Sequence, residues 1–104
     1  MILLYQAAEI FHVHNYSIPT TFDNGHTHRV FGVTSLGVLK GNTHVHYYRG
    51  YTTLEDGHVH YFGGVTGPAI FLPGGGHIHN YRGVTSFDDR HRHAYAGTDS
   101  PSYF

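Results

Sequence analysis

The stretch TTLEDGHVHYFGGVT (residues 52–66) contains the pattern on which the whole chain is built. Two threonines lead into a short acidic segment that ends in glycine, and the triplet His58-Val-His60 follows it. From His58 onward every second residue has a defined character: histidine, histidine, aromatic, glycine, threonine. Such a period of two is typical of a β-strand, whose alternate side chains share one face. The stretch therefore predicts a tight turn and then a strand that begins with its histidines.

The His-x-His triplet occurs six times, and the six copies contain all 12 histidines of the 104-residue chain. They begin at residues 12, 26, 44, 58, 77 and 91, in steps of 14, 18, 14, 19 and 14. This alternation predicts three repeats with two triplets each. We interpret the chain as a single domain, 1–104, with an apolar N-terminal extension at 1–8, repeats at 9–41, 42–75 and 76–99, and a C-terminal tail at 100–104.

The segments between the triplets favour an antiparallel arrangement. Asp23-Asn-Gly25, Glu55-Asp-Gly57 and Asp88-Asp-Arg90 are typical of tight hairpin turns. We therefore predict an all-β fold, a six-stranded antiparallel meander or small barrel with an internal pseudo-threefold repeat. A β-solenoid, which would stack all six pairs in one ladder, is the alternative. We interpret the carboxylates of Asp23, Glu55 and Asp88 as turn residues rather than as a catalytic triad.

Antiparallel strands that each begin with a histidine pair place those pairs alternately at two ends of the molecule. Three pairs at each end supply six imidazoles, which is an octahedral ligand set. The sequence therefore predicts two metal sites. Site 1 comprises His12, His14, His44, His46, His77 and His79, and site 2 comprises His26, His28, His58, His60, His91 and His93.

The donor set also suggests the kind of metal. Structural zinc prefers four ligands, whereas six nitrogens suit octahedral divalent ions better. We expect Fe(II), with Ni, Co, Cu or Zn as alternatives. A filled shell leaves no open position for catalysis, so the ion is expected to be structural. The alternative for the histidines is stacking, hydrogen bonding or a pH switch. The aromatic positions are expected to form the core: Tyr16, Tyr48, Phe62, Tyr81 and Tyr95.

Composition excludes several classes of protein. Charged residues make up 12% of the chain and the net charge is −1, which argues against a nucleic-acid partner. The chain has no cysteine, so neither disulfides nor thiolate metal sites are available. We expect no membrane span, because no apolar run approaches the required ~20 residues. The cellular location stays open, with the cytoplasm and a surface or extracellular assembly as the two alternatives.

Two resemblances accompany these patterns. Gly57-His-Val-His-Tyr-Phe-Gly-Gly-Val-Thr-Gly-Pro68 and Val84-Thr-Ser-Phe-Asp-Asp89 resemble the YmaF family of small bacterial repeat proteins, and the likeness covers roughly residues 9–100. The His-x-His triplets also resemble those of phage tail-fibre and tail-spike tips, where three chains each supply one pair to an octahedral iron. That second resemblance implies iron and three-part coordination, and it concerns site geometry rather than descent.

The leading functional hypothesis is a metal-binding structural protein, not an enzyme. Metal storage or sequestration is the alternative, and a cupin-like metalloenzyme is the second alternative. We also expect self-association into a homo-oligomer or filament, because apolar residues occupy the two chain ends and many outward strand positions. These outward positions are Val13, Val45, Tyr47, Tyr51, Val59, Tyr61, Ile78 and Val84.

Overall fold

The computed structural model describes residues 10–103, which form nine β-strands and no α-helix. Within these residues, nothing helical has the length and apolar character needed to cross a membrane. The predicted extension at 1–8 lies outside the described residues. The strands are β1 (Asn15–Pro19), β2 (Arg29–Val33), β3 (Val38–Lys40), β4 (Thr43–Val45), β5 (Tyr47–Tyr51), β6 (Tyr61–Val65), β7 (Ala69–Phe71), β8 (His77–Val84) and β9 (Ala94–Thr98).

Three antiparallel hairpins form the body of the fold. They are β1–β2, β5–β6 and β8–β9, and each predicted repeat contains one of them. Two of the connections between repeats are also extended, since β3 pairs with β4, and β7 pairs with the beginning of β8. All of these pairings are antiparallel, which confirms the meander and excludes a solenoid for the described chain. The limits of the repeats stay predictions.

The three hairpins are joined in a ring. The backbone N–H groups of Thr21, Thr53 and Ser86 occupy equivalent positions in the three repeats. They donate to carbonyl oxygens of a neighbouring hairpin, at Ala94 (2.8 Å), Arg29 (3.1 Å) and Tyr61 (2.7 Å). The first repeat is thereby bonded to the third, which confirms the pseudo-threefold arrangement. Because these bonds lie at the hairpin ends, the ladders remain separate sheets and do not close into the predicted small barrel.

The strands differ in number and limits from the six that the pattern predicts. Only β8 begins with its histidine pair, at His77, whereas most strands begin just after the pair. The reason lies in the backbone hydrogen bonds. The hairpin ladder ends at the second histidine of a pair. The carbonyl of His28 still accepts from the N–H of Thr20 at 2.8 Å, but the N–H of His28 donates to Thr20 Oγ1 at 3.0 Å, and the N–H of Thr21 donates to another repeat. The short β3, β4 and β7 come from the longer steps between triplets.

The tight turns are confirmed as two-residue hairpin turns. Asn24 and Gly25 both have positive φ, 53° and 87°, and they are enclosed by the bridge between Asp23 and His26. Consecutive positive φ values are what the hairpin turn favoured by strand twist requires. The third turn departs from this chemistry, because Arg90 with φ of 68° stands where the first two repeats have glycine.

Replacing Arg90 by glycine is expected to stabilise the protein by about 1 kcal/mol, because the left-handed conformation costs a side chain with a Cβ about that much. Chemical denaturation at neutral pH measures the change. The matched reverse variant is Gly57→Ala, where nothing lies within 4 Å of an added Cβ and only the φ of 80° opposes it. This variant should lose a similar amount, and equal stability of both variants and the parent would contradict the assignment of strain.

The core consists of one layer of side chains at the third position of the pattern. The predicted aromatic residues are all buried there, and they are joined by a valine in the second strand. Neighbouring rings pack mostly edge-to-face, with centroids 5.4–6.3 Å apart, and the hydroxyls of Tyr48 and Tyr95 lie 3.0 Å apart. The layer comprises Tyr16, Val30, Tyr48, Phe62, Tyr81 and Tyr95.

The glycines of the pattern make room for this layer. An added Cβ at Gly83 would meet the Tyr95 hydroxyl at 2.5 Å, and one at Gly64 would meet the Tyr48 hydroxyl at 2.9 Å. These glycines therefore leave space for the tyrosine rings of the core. Two of the predicted outward apolar positions differ, since Val45 is buried and Ile78 is partly covered by its pairing with β7. The other outward positions are exposed.

Candidate metal centres

The twelve histidines form two groups, one at each end of the hairpins. In each group six ring nitrogens, one from each histidine, lie within 4.8 Å of one another, so each group could hold one metal ion. The two groups have the same membership as the predicted sites. Site 1 contains His12, His14, His44, His46, His77 and His79, and site 2 contains His26, His28, His58, His60, His91 and His93.

The rings in each site follow the edges of an octahedron. Adjacent rings meet edge-to-face, with centroids 4.5–5.1 Å apart and interplanar angles of 60–89°. His12, for example, packs on His14, His44, His46 and His77, which leaves His79 opposite it. The opposite pairs are His12 with His79, His14 with His44, His46 with His77, His26 with His60, His28 with His91, and His58 with His93.

The spacing of the nitrogens matches a coordination sphere. Three adjacent pairs of Nε2 atoms in site 1 and four in site 2 lie 3.0–3.2 Å apart. The centre of an octahedron is the edge length divided by √2 from every vertex, so an ion here is about 2.1–2.3 Å from each nitrogen. This distance is at or slightly above the ~2.0–2.1 Å of four-coordinate zinc–imidazole bonds. Six-coordinate bonds are somewhat longer, so the spacing fits an octahedral ion.

Hydrogen bonds made by Nδ1 fix the tautomer of the second histidine in each pair. The second histidine of every pair directs Nδ1 at a backbone carbonyl of the neighbouring repeat. Examples are His46 on Ser35 at 2.8 Å and His60 on Ser86 at 3.0 Å. A neutral imidazole has one proton, and a carbonyl can only accept it, so Nδ1 is the donor. The remaining members of this set are His14 on Ser100, His28 on Thr53, His79 on Gly67 and His93 on Thr21.

In the second histidine of each pair, Nε2 therefore has no proton and can only accept a hydrogen bond. In site 2, His58 and His91 also donate through Nδ1 to carbonyls, at Asp56 and Asp89. The Nε2 atoms of His58, His60 and His91 nevertheless lie 3.1–3.2 Å apart with no proton to share among them. A further set of buried Nε2 atoms has no hydrogen-bond partner: those of His14, His28, His46 and His93. A cation at the centre of each site would bind these Nε2 atoms and would account for both their close spacing and their lack of hydrogen-bond partners.

Burial favours the neutral form of several of these rings. Burial above all, together with the neighbouring imidazoles, lowers the pKa of His44 and His79 from 6.5 to about 3. Burial is also the largest cause of the lowered pKa of His28, His46 and His60. Neutral imidazole is the form that ligates a metal, so these sites are ready for an ion at neutral pH.

Acid is expected to destabilise the fold. A histidine whose pKa is depressed in the folded chain binds its proton more readily when the chain unfolds, so stability is complete above pH 6.5 and falls as the pH drops toward about 3. Metal ligation acts in the same direction, because the proton and the ion compete for Nε2. Denaturation measured from pH 8 to pH 4 should show this decline. Stability that rises in acid would instead indicate a cluster of paired, protonated histidines.

The last position of the pattern has a role that the sequence did not reveal. The Oγ1 atoms of Thr20, Thr34, Thr52, Thr66 and Thr85 accept hydrogen bonds of 3.0–3.1 Å from the backbone N–H of a second histidine. Asp99 replaces the sixth threonine and accepts from His79 at 2.8 Å. These side chains position the ligands. The recurrence of threonine eight residues before the second histidine of three pairs is the signal that identifies the role.

Carboxylates surround site 2. Asp56 and Asp89 lie 3.5 and 3.4 Å from Nδ1 of His26 and His58. The predicted turn residues Asp23 and Asp88 lie 3.3 and 3.4 Å from Nδ1 of His93 and His60. Both also accept a side-chain hydrogen bond within their own turn, from Thr21 and Ser86. Each of Asp23, Glu55 and Asp88 pairs through its backbone with the first histidine of the following pair, as a turn residue does.

The fold and the two clusters together define an all-β repeat protein with two buried hexahistidine groups. The chain belongs to the YmaF family, whose model is described as spore germination protein GerY/YamF and matches residues 9–99. This match confirms the resemblance found in the sequence. No curated protein and no solved structure was found to match the chain.

Proposed function

We propose that this chain is a metal-binding structural protein in which two hexahistidine ions hold the repeats together. The observation that carries the proposal is the gathering of six ring nitrogens within 4.8 Å of one another around each of two centres. In site 2, hydrogen bonding among His58, His60 and His91 does not account for Nε2 spacings of 3.1–3.2 Å, since their protons are on Nδ1, which donates to carbonyls. The carbonyls that hold Nδ1 are the kind of outer partner that orients metal-bound imidazoles in proteins.

Iron is the ion that we favour. Six neutral nitrogens in octahedral positions suit Fe(II), Co(II) and Ni(II), whereas structural zinc prefers four ligands. The expected bond length of about 2.1–2.3 Å supports a six-coordinate divalent ion in either site. We therefore favour Fe(II), with Ni, Co, Cu and Zn as substitutes.

A structural role is favoured over catalysis because each ligand shell is complete. Catalytic metals keep a position for water or substrate, and six imidazoles leave none. A surface groove of about 800 Å³ lies elsewhere and is lined by residues of β5 and β6 such as Tyr47, Arg49 and Tyr61. Storage of many ions is also disfavoured, since the imidazoles of the described chain are committed to two centres.

The test is elemental analysis of protein purified without a nickel column. We expect two ions per chain, one for each group of six histidines. Three ions per chain would favour tetrahedral sites of four histidines, and the absence of tightly bound metal would contradict the proposal. X-ray absorption on the same sample should give six nitrogen ligands at about 2.1–2.3 Å.

We further propose that the protein self-associates, in the spore context that the family description names. Exposed apolar side chains recur with the repeat just before each tight turn, at Phe22, Leu54 and Phe87, which are 73%, 69% and 60% exposed. Light scattering should show particles larger than one chain, and smaller particles when all three are replaced by serine. Deletion of Met1–Glu9 tests the contribution of the N-terminal extension in the same assay. A monomer at high concentration would contradict self-association.

A further inference from the structure

The two sites present different outer faces to solvent. In each site the first histidines of the three pairs form one face of the octahedron. In site 1 all three are buried, and His12, His44 and His77 are 6%, 0% and 1% exposed. In site 2 His91 is 8% exposed, and His26 and His58 are only partly buried, with side chains 10% and 13% exposed. The outer face of site 2 is therefore less covered than that of site 1.

The covering of site 1 comes from the longer connections and the C-terminal tail. His77 exchanges two backbone hydrogen bonds with Ser102, at 2.8 and 3.0 Å, and the ring of Phe71 from β7 lies 6.0 Å from its imidazole. On another side, an added Cβ at Gly37 would meet the His44 ring at 3.2 Å and Ile10 at 3.0 Å. The steps of 18 and 19 residues between triplets thus supply chain that lies over this end.

Site 2 has no comparable cover in the described chain. Its three pairs follow two-residue turns, which provide no residues to fold across the rings. The groups beside its outer face are the amide of Asn24, whose Nδ2 lies 3.3 Å from Nδ1 of His91, and the carboxylates of Asp56 and Asp89, which are 68% and 65% exposed. A concentration of negative charge at a surface raises the local concentration of cations and the rate of their arrival. The end is therefore open to a divalent ion in solution.

We propose that site 2 exchanges a bound divalent transition-metal ion with solution, whereas site 1 holds its ion without exchange. The ion enters and leaves site 2 through the face formed by His26, His58 and His91. This inference rests on the proposed function and adds a division of labour to it. One ion holds the covered end of the fold, and the other makes the opposite end responsive to the free metal concentration.

The experiment follows metal release from the Fe(II)-loaded full-length chain. Under anaerobic conditions the protein is mixed with excess chromogenic ferrous chelator, and the absorbance of the iron–chelator complex is recorded with time. We expect two phases of equal amplitude that differ in rate by about 10-fold or more, because release from site 1 first requires the Ser102 bonds to break. A single phase would overturn the inference.

Variants assign each kinetic phase of iron release to one of the two sites. His58→Ala should remove the fast phase and leave the slow one, and the reverse would overturn the proposal. Ser102→Pro removes the N–H that His77 accepts and should accelerate only the slow phase, whereas Ser102→Ala keeps that N–H and should not. Acceleration of the fast phase alone by Ser102→Pro would also overturn it. The amount of bound iron measured before mixing distinguishes failure of this inference from failure of the proposed function. Two ions released in one phase contradict only the exchange at site 2, and the absence of bound iron contradicts the proposed function.

Discussion

Removal of both ions is expected to lower the melting temperature by about 20 °C or more, or to unfold the protein at room temperature. Structural zinc binding to small domains contributes about 10–16 kcal/mol to folding, and loss of even ~5 kcal/mol shifts the melting of a domain of this size by about 20 °C. Little else supports the fold. The core is one layer of six side chains, and a two-stranded hairpin is marginal alone.

This prediction is tested by calorimetry or circular dichroism before and after treatment with a strong chelator. Elemental analysis must confirm that the metal has gone, and stoichiometric Fe(II) added back should restore the original melting. The same protocol on samples adjusted to equal ionic strength controls for effects of the chelator itself. Unchanged melting of protein shown to be metal-free would contradict a structural role for the ions.

The second large effect is expected from His46→Ala. This change removes one of the six imidazoles that would hold an ion in site 1 and leaves five. The bound metal should fall from two ions to one per chain, and the melting temperature should drop by about 10 °C or more as several kcal/mol are lost. The remaining ion is expected in site 2, whose ligands the substitution does not touch.

Two variants control this measurement. Tyr47→Ala alters the neighbouring residue, which is 52% exposed, and should keep both ions. His60→Ala is the matched change in site 2 and should also leave one ion, now in site 1. Loss of both ions from either histidine variant would show that the sites form cooperatively, which contradicts two independent centres.

The ligand groups followed from the sequence because β geometry is so regular. Alternate residues share a face, so His58 and His60 had to point the same way, and short turns made adjacent hairpin strands antiparallel. These two facts divide the pairs between two ends without any knowledge of packing. The aromatic layer followed from the same period of two.

Other features depend on long-range contacts that no local pattern encodes. The histidines precede most strands because Thr21 bonds to Ala94 in another repeat, and that partner is 73 residues away. The exchange of partners at the hairpin ends also explains why the sheets stay separate. Asp99 is a related case, since its carboxylate stands where the other strands have threonine and accepts the backbone N–H of His79.

The opposite pairs of the octahedron have a consequence for how such a chain can evolve. His12 and His79 face each other across site 1, so an ion bound there would join the first repeat to the last, and the ring would have no free end. Open repeat arrays lengthen or shorten by whole units with modest cost. Under the proposed function the coordination number of the ion would set the number of units, since three pairs fill six positions. Duplication or deletion of one unit would leave both shells with the wrong number of ligands.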